Sequence, residues 1–322
     1  MSSILVTGAT GFVGGAFVET LCSAGHTVCA SGRADRPSSL PETVGYVKAD
    51  LAHVFPTLDT EVVIHAAALA SDTADESDLQ EINVGGTQRV FAATTSSRVF
   101  VYISSSSVYP YTHSLHSEEE PVMLNDLSPY GRSKRMAEEW LLQQDWSERR
   151  LVILRPRAIY GVGDRVLLPR LMRLVRGSWL MLPGQAPVLS SLTHIQNLTE
   201  AAVRLINGPS GVHVFNIADA SPYPLQEVLP VLLQTVCGRS LKTVSISPSF
   251  LYGLARLSKF LNLGHSLTRF GLDALAKNHV LDCNKLGHTL GQLPERDLWQ
   301  ALPELAEWVR GDAKTGLGAD NF

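Results

Sequence analysis

Short continuous apolar runs alternate with helix-period segments through the first two thirds of the chain. Residues 4–7 (ILVT) form one such run, closed by Gly8. Phe12, Val13, Phe17, Val18 and Leu21 then recur at helical spacing, and the pattern stops near Gly25. Further runs at 27–30, 47–51, 61–68, 98–103, 151–154 and 213–218 predict strands, and 83–91 and 133–142 predict helices between them. Ser128-Pro129 is the expected start of the second of these helices, because serine caps and proline fits a first helical turn. Apolar runs without strict alternation suit strands buried on both faces, and helical crossovers between them make those strands parallel. The expected fold class is therefore α/β, a doubly wound parallel sheet.

Gly8-Ala9-Thr10-Gly11-Phe12-Val13-Gly14 sits between the first strand and the first helix. In that context glycines have a physical purpose. Gly8 permits the tight turn, Gly11 lets backbone N–H groups approach a pyrophosphate, and Gly14 lets the helix lie on the sheet. The helix N-terminus adds partial positive charge for the phosphates. Thr10, Phe12 and Val13 complete this dinucleotide-binding turn. The second strand runs into Ser31-Gly32-Arg33, with no acid at its end to take a ribose 2′-hydroxyl. Arg33, helped by Ser31, suits a 2′-phosphate, so NADP is the preferred coenzyme and NAD the alternative. In the alternative, Asp35 or the loop backbone serves the ribose.

The fifth strand ends in Ser104-Ser105-Ser106-Ser107-Val108-Tyr109, and Tyr130-Gly131-Arg132-Ser133-Lys134 follows later. Tyr130 and Lys134 are four apart, hence neighbours on one helix face. A phenol is a poor acid/base group at neutral pH, and a nearby ammonium favours its ionised form. A serine hydroxyl at the strand end can hold a substrate oxygen. Together these form a proton donor beside a hydride donor, the minimum for carbonyl reduction.

The GxxGxxG spacing and the YxxxK pair resemble the extended branch of the short-chain dehydrogenase/reductase superfamily, the NAD-dependent epimerase/dehydratase group. The resemblance runs from Ile4 to about Val309. It implies a Rossmann core over residues 1–165 and 193–218, an interleaved substrate-binding region over 166–192 and 219–310, and a tail at 311–322. It places Asp50, followed by Leu51, beside the adenine, and Ala66, Ala67 and Ala68 along the ribose and pyrophosphate. It makes Asn83 a buried residue that orders the site, and His65 a packed strand residue. Pro156, in Arg155-Pro156-Arg157-Ala158-Ile159-Tyr160-Gly161, borders the nicotinamide. Counting back three from Val108 gives Ser105 as the hydroxyl partner of Tyr130 and Lys134, with Ser106 second. The Gly of the family's Val-Tyr-Gly element is Pro110 here. No Thr-Asp-Glu occurs in this loop, which argues against sugar-nucleotide dehydration. The order of segments from 248 to 287 resembles the 3β-hydroxysteroid dehydrogenase-like ketoreductases. That implies a small hydrophobic keto or hydroxy substrate, enclosed around residues 250–263. The implied activity is ketone–alcohol interconversion; the alternatives are a nucleotide-sugar epimerase with tightly bound NAD, and a coenzyme-binding sensor. A homodimer is the family's habit.

Composition narrows the class further. Twenty-seven Lys and Arg against 31 Asp and Glu give a formal charge of −4, without the basic excess of a general nucleic-acid binder. No apolar run approaches the roughly 18 residues of a membrane span. The stretch at 250–261 is amphipathic; a pocket-covering helix is the preferred reading and peripheral membrane contact the alternative. Leu167 to Val175 is expected as a helix with Arg170, Arg173 and Arg176 at steps of three; a solvated basic face is the preferred reading and contact with an acidic substrate arm the alternative. The four cysteines form no CxxC pair, so no metal is expected and they read as buried small hydrophobes. No secretory pattern opens the sequence, and a cytoplasmic location is the expectation.

Overall fold

The structure, a computed structural model, describes residues 2–71, 73–111, 114–184, 186–260, 269–292 and 295–312. Seven parallel strands form its central sheet. They are β1 (Ser3–Thr7), β2 (Thr27–Gly32), β3 (Gly45–Lys48), β4 (Val62–His65), β5 (Val99–Ile103), β6 (Arg150–Pro156) and β7 (Gly211–Ile217). Their spatial order is β7-β6-β5-β4-β1-β2-β3. The order reverses between β1 and β4, and such a switch point opens a crevice at the strands' carboxyl ends. This is the expected Rossmann-like α/β fold.

Helices cover both faces because the strands are apolar on both. On one face α1 (Phe12–Ser23) and α4 (Ile195–Leu205) bury Phe17, Leu21, Leu198 and Ala202 against Val99, Val101 and Ile103 of β5. On the other, α2 (Gly86–Ala93) and α3 (Pro129–Leu142) bury Val90, Ala137 and Leu141 against Phe100 and Tyr102. Odd and even residues of β5 thus serve different cores, as the two-residue strand period requires. Ser128 caps α3 as expected, its Oγ accepting from Gly131 N at 3.0 Å.

Several element ends differ from the sequence reading. β3 stops at Lys48, so Asp50 and Leu51 lie in the turn beyond it, where Asp50 Oδ1 accepts from Ala52 N. β4 stops at His65 because Ala67 N turns to the Thr7 hydroxyl, 3.2 Å away, and leaves the ladder. Residues 80–85 are π-helical, a feature that often marks functional positions. The helix expected from 167 to 175 ends at Met172. Val175 instead pairs with Leu180 across a turn in which Gly177 has φ of +55°. Arg170, Arg173 and Arg176 therefore do not share one helical face.

A second apolar core lies beyond the carboxyl edge of the sheet. Leu168 and Leu171 meet Leu180 of Trp179–Pro183, and both meet α5 (Leu225–Cys237) and α6 (Leu298–Asp312) through Val228, Leu229, Leu233 and Leu305. The four cysteines are free and half-buried, not fully buried, because each sits at the margin of a core. No helix among the described residues is long and apolar enough to cross a membrane.

Candidate active site

One cavity of about 1470 Å³ runs along the carboxyl ends of β2, β1, β4, β5 and β6 and continues into the second apolar core. Apart from Asp35, every residue singled out for coenzyme or chemistry lines it.

The turn after β1 is built from backbone. Gly8 has φ of +71°, and a Cβ on Gly14 would land on the Gly8 carbonyl oxygen. This contact seats α1 directly on the turn. Gly11 is the N-cap of α1, and no side chain caps that helix. This uncapped start lines the cavity through Gly11, Phe12 and Val13, beside Gly8 and Thr10. Ala66, Ala67 and Ala68 form the opposite lip. Arg33 lies just past β2, exposed on the cavity wall, and makes no ion pair among the described residues. Asp35, the other residue considered for the ribose, is turned away to Lys48 at 2.7 Å. Asp50 and Leu51 line the same end.

Asn83 ties two parts of the site together. It is 1% exposed; its Oδ1 accepts from Leu69 N at 2.7 Å and its Nδ2 donates to Ser133 Oγ at 2.8 Å. The loop after β4 is thereby fastened to α3. His65 bridges the Thr7 and Thr87 hydroxyls at 2.7 and 3.0 Å. Burial, reinforced by Lys134, pushes its pKa down to about 3, so it stays neutral, as a packed strand residue should.

Ser105 caps the short turn Ser106–Val108, its Oγ accepting from Ser107 N at 3.1 Å. It is half-buried, whereas Ser104 and Ser106 are buried. The Ser104 hydroxyl has no partner among the described residues and lines the cavity. Ser104 N donates to Leu154 O at 2.8 Å, which holds the serine loop level with the end of β6. Pro156 stands there, on the cavity wall.

Tyr130 lies in the first turn of α3 and Lys134 one turn on, both facing the cavity. Lys134 is 1% exposed, and its Nζ donates to Ile103 O at 2.7 Å and lies 4.1 Å from the centre of the Tyr102 ring. Burial pulls its pKa down to about 7, against the opposing pull of Glu138. The sequence reading treated Lys134 as a plain ammonium. The structure buries it, which weakens its hold on the proton.

Two features escaped the sequence reading. Glu138, another four residues along α3, is fully buried and holds Arg155 through paired contacts of 3.0 and 2.7 Å. Arg155 also donates to the Tyr109 hydroxyl, which donates to Asn216 of β7. Extending the Tyr130–Lys134 spacing by one more turn would have found it. Gly131 is the second: a Cβ there would land on the Ser107 carbonyl oxygen. Its lack of a side chain is what lets α3 touch the serine loop.

These residues fit a dinucleotide. An uncapped helix end, a glycine turn, an uncompensated cation at the β2 end and a buried lysine reaching β5 form one continuous wall. The far part of the cavity is walled by Leu171, Met181, Val228, Leu229, Phe250, Phe270 and Leu275. Part of the segment expected to enclose substrate, residues 261–268, lies outside the described residues, as do the side chains of 254, 255 and 257–260.

Comparison with known proteins agrees with this geometry. The family model described as "NAD dependent epimerase/dehydratase family" matches residues 4–218. The 2-alkyl-3-oxoalkanoate reductase of Stenotrophomonas maltophilia is 30% identical, over 94% of this chain and 98% of its own. The UDP-glucose 4-epimerase of Vibrio cholerae is 31% identical over 70% of this chain and 74% of its own. The solved structure of MoeE5 in complex with UDP-glucuronic acid and NAD superposes with a TM-score of 0.73 at 26% identity, covering 96% of this chain and 99% of that one. The chain belongs to the NAD dependent epimerase/dehydratase family and is an enzyme of the extended short-chain dehydrogenase/reductase type.

Proposed function

We propose that the enzyme is an NAD(P)H-dependent ketoreductase that interconverts a ketone and a secondary alcohol on a hydrophobic substrate. The observation that carries this reading is the apolar far half of the cavity, which faces a serine loop bearing no carboxylic acid. The long reductase relative, matched over nearly its full length, supports the same class.

In this reading the glycine turn and the first turn of α1 hold the pyrophosphate. Asp50 and Leu51 flank the adenine, and Ala66 to Ala68 flank the adjoining ribose. Arg33 and Ser31 take a 2′-phosphate, which makes NADP the preferred coenzyme. Pro156 backs the nicotinamide, and Lys134 meets the neighbouring ribose hydroxyls. When bound, the coenzyme supplies a hydride equivalent at the nicotinamide ring. Ser105 orients the substrate carbonyl oxygen, and Tyr130 delivers the proton to it. Lys134, with a pKa near neutrality, shares the charge that develops on the phenol and passes a proton back to it.

A nucleotide-sugar epimerase is the second reading. Arg170, Arg173 and Arg176 line the cavity mouth and would suit an anionic substrate arm. The two differ in stoichiometry, since a reductase consumes coenzyme and an epimerase regenerates it. The test is NADPH and NADH oxidation against a panel of ketones, with Tyr130→Phe as control. Sustained oxidation, lowered by about 10²–10⁴-fold in the variant, is expected. A variant that kept most of its turnover would remove Tyr130 from the mechanism.

A further inference from the structure

Two arginines stand two residues apart at the end of β6, and only one has a counter-ion among the described residues. Arg155 is 2% exposed and is neutralised by Glu138. Arg157 is 6% exposed, and no carboxylate among the described residues lies within ion-pair distance of it. Among the described residues its side chain meets only neutral groups: Nε donates to Ser190 Oγ at 3.1 Å, Nη1 donates to the Tyr111 hydroxyl at 3.3 Å, and the guanidinium carbon lies 5.6 Å from the centre of the Tyr111 ring. Those contacts fix the plane of the guanidinium and leave donors over, since the group carries five N–H bonds. A guanidinium cannot shed its charge as a buried lysine can. A buried, uncompensated cation costs several kcal/mol, so one kept in a binding site calls for an anion.

Its position says where that anion would sit. Arg157, Tyr111 and Ser190 all line the cavity. Ile103 pairs with Leu154, so the serine loop and the end of β6 run side by side, and Arg157 comes directly after Pro156. Apolar side chains wall the cavity beyond. The next residue, Ala158, has φ of +42°, the one non-glycine in the left-handed region among the described residues. Such strain persists only where surrounding contacts hold it, and it gathers at ligand sites. His279, whose ring centre is 4.9 Å from that of Tyr111, is held far below its ordinary pKa by burial and then by Arg157. It therefore brings no second charge to this corner.

We propose that Arg157 anchors a carboxylate carried by the substrate close to its reacting carbonyl. The substrate class is then a hydrophobic keto acid, its acid group on Arg157, its ketone at Ser105 and Tyr130, and its chain among the leucines. This rests on the ketoreductase reading. The overall change is keto acid, NAD(P)H and one proton to hydroxy acid and NAD(P)⁺, and Arg157 forms no covalent bond in it.

Binding separates this proposal from turnover. With saturating NADP⁺, β-hydroxyoctanoate and its methyl ester are titrated by calorimetry. The acid is expected to bind at least about tenfold more tightly than the ester. In Arg157→Gln that preference is expected to collapse to about one. Arg157→Lys keeps a point charge without the planar fork and is expected to retain about threefold. Equal affinity of acid and ester for the wild-type protein would overturn the anchor, even if Arg157→Gln did not fold. An undiminished preference in either variant would overturn it too. The reductase reading is read separately, as NADPH oxidation by the matching β-keto acid and ester. Oxidation with neither, while the acid preference stands, would sink that reading and leave the anchor in place.

Discussion

The two halves of the cavity are built from different materials. The coenzyme half is made of backbone: the glycine turn, the uncapped start of α1 and the alanines after β4. The substrate half is made of side chains gathered from residues 157–192, 225–251 and 270–275. A backbone-built site tolerates few changes, because one added Cβ can close it. A side-chain site of leucines, methionine and phenylalanines can be retuned one residue at a time, and so one fold hosts several chemistries. This contrast also fits the mixture of reductase and epimerase among the relatives.

Four substitutions sharpen or break that comparison. The largest effect is expected for Gly14→Val, which drives a branched side chain into the Gly8 carbonyl. Coenzyme-dependent thermal stabilisation should vanish, and the unliganded protein should lose a few kcal/mol. Retained coenzyme binding would show that the turn is not backbone-limited.

Lys134→Met should act in the opposite direction on stability. The native pKa of Lys134 is lowered from 10.5 to about 7, so between those values the unfolded chain binds more protons. Wild-type stability then rises with pH across that window. Methionine removes the penalty but also the bond to Ile103 O, so a gain of a few kcal/mol is expected near pH 7, fading toward pH 10.5. Denaturant titrations at both ends measure it, and activity should fall. A gain independent of pH would mean the effect is packing alone.

A smaller effect is expected for Arg33→Ala, which should weaken NADPH by about tenfold and leave NADH nearly unchanged. Equal loss for both coenzymes would contradict the 2′-phosphate role. The smallest belongs to Phe250→Ala. This side chain is 65% exposed yet lines the cavity. Its removal should raise KM for a hydrophobic ketone a few-fold, with stability changed by no more than about 0.5 kcal/mol.

The same contrast decides what could be read from the sequence. The coenzyme half was legible because its signals are local: three glycines between a strand and a helix, and a tyrosine and lysine one turn apart. Element ends were less so, since β4 stops where a threonine hydroxyl captures Ala67 N, a contact across 60 residues. Glu138 was missed because its partner, Arg155, comes from another element. Arg157 was missed for the reverse reason. Its significance lies in the lack of a counter-ion among the described residues, and sequence spacing carries no sign of that. The arginines at 170, 173 and 176 were misplaced onto one helix because a turn at Gly177 outweighs helical periodicity there.

Hydride transfer itself tests the central claim most directly. The enzyme would be given NADPH carrying deuterium at the transferable position of the nicotinamide, with a hydrophobic ketone as substrate. A ketoreductase places one deuterium on the carbinol carbon of the product for every NADP⁺ formed. Recovery of unoxidised coenzyme together with an isomerised substrate, and no deuterated alcohol, would contradict the account.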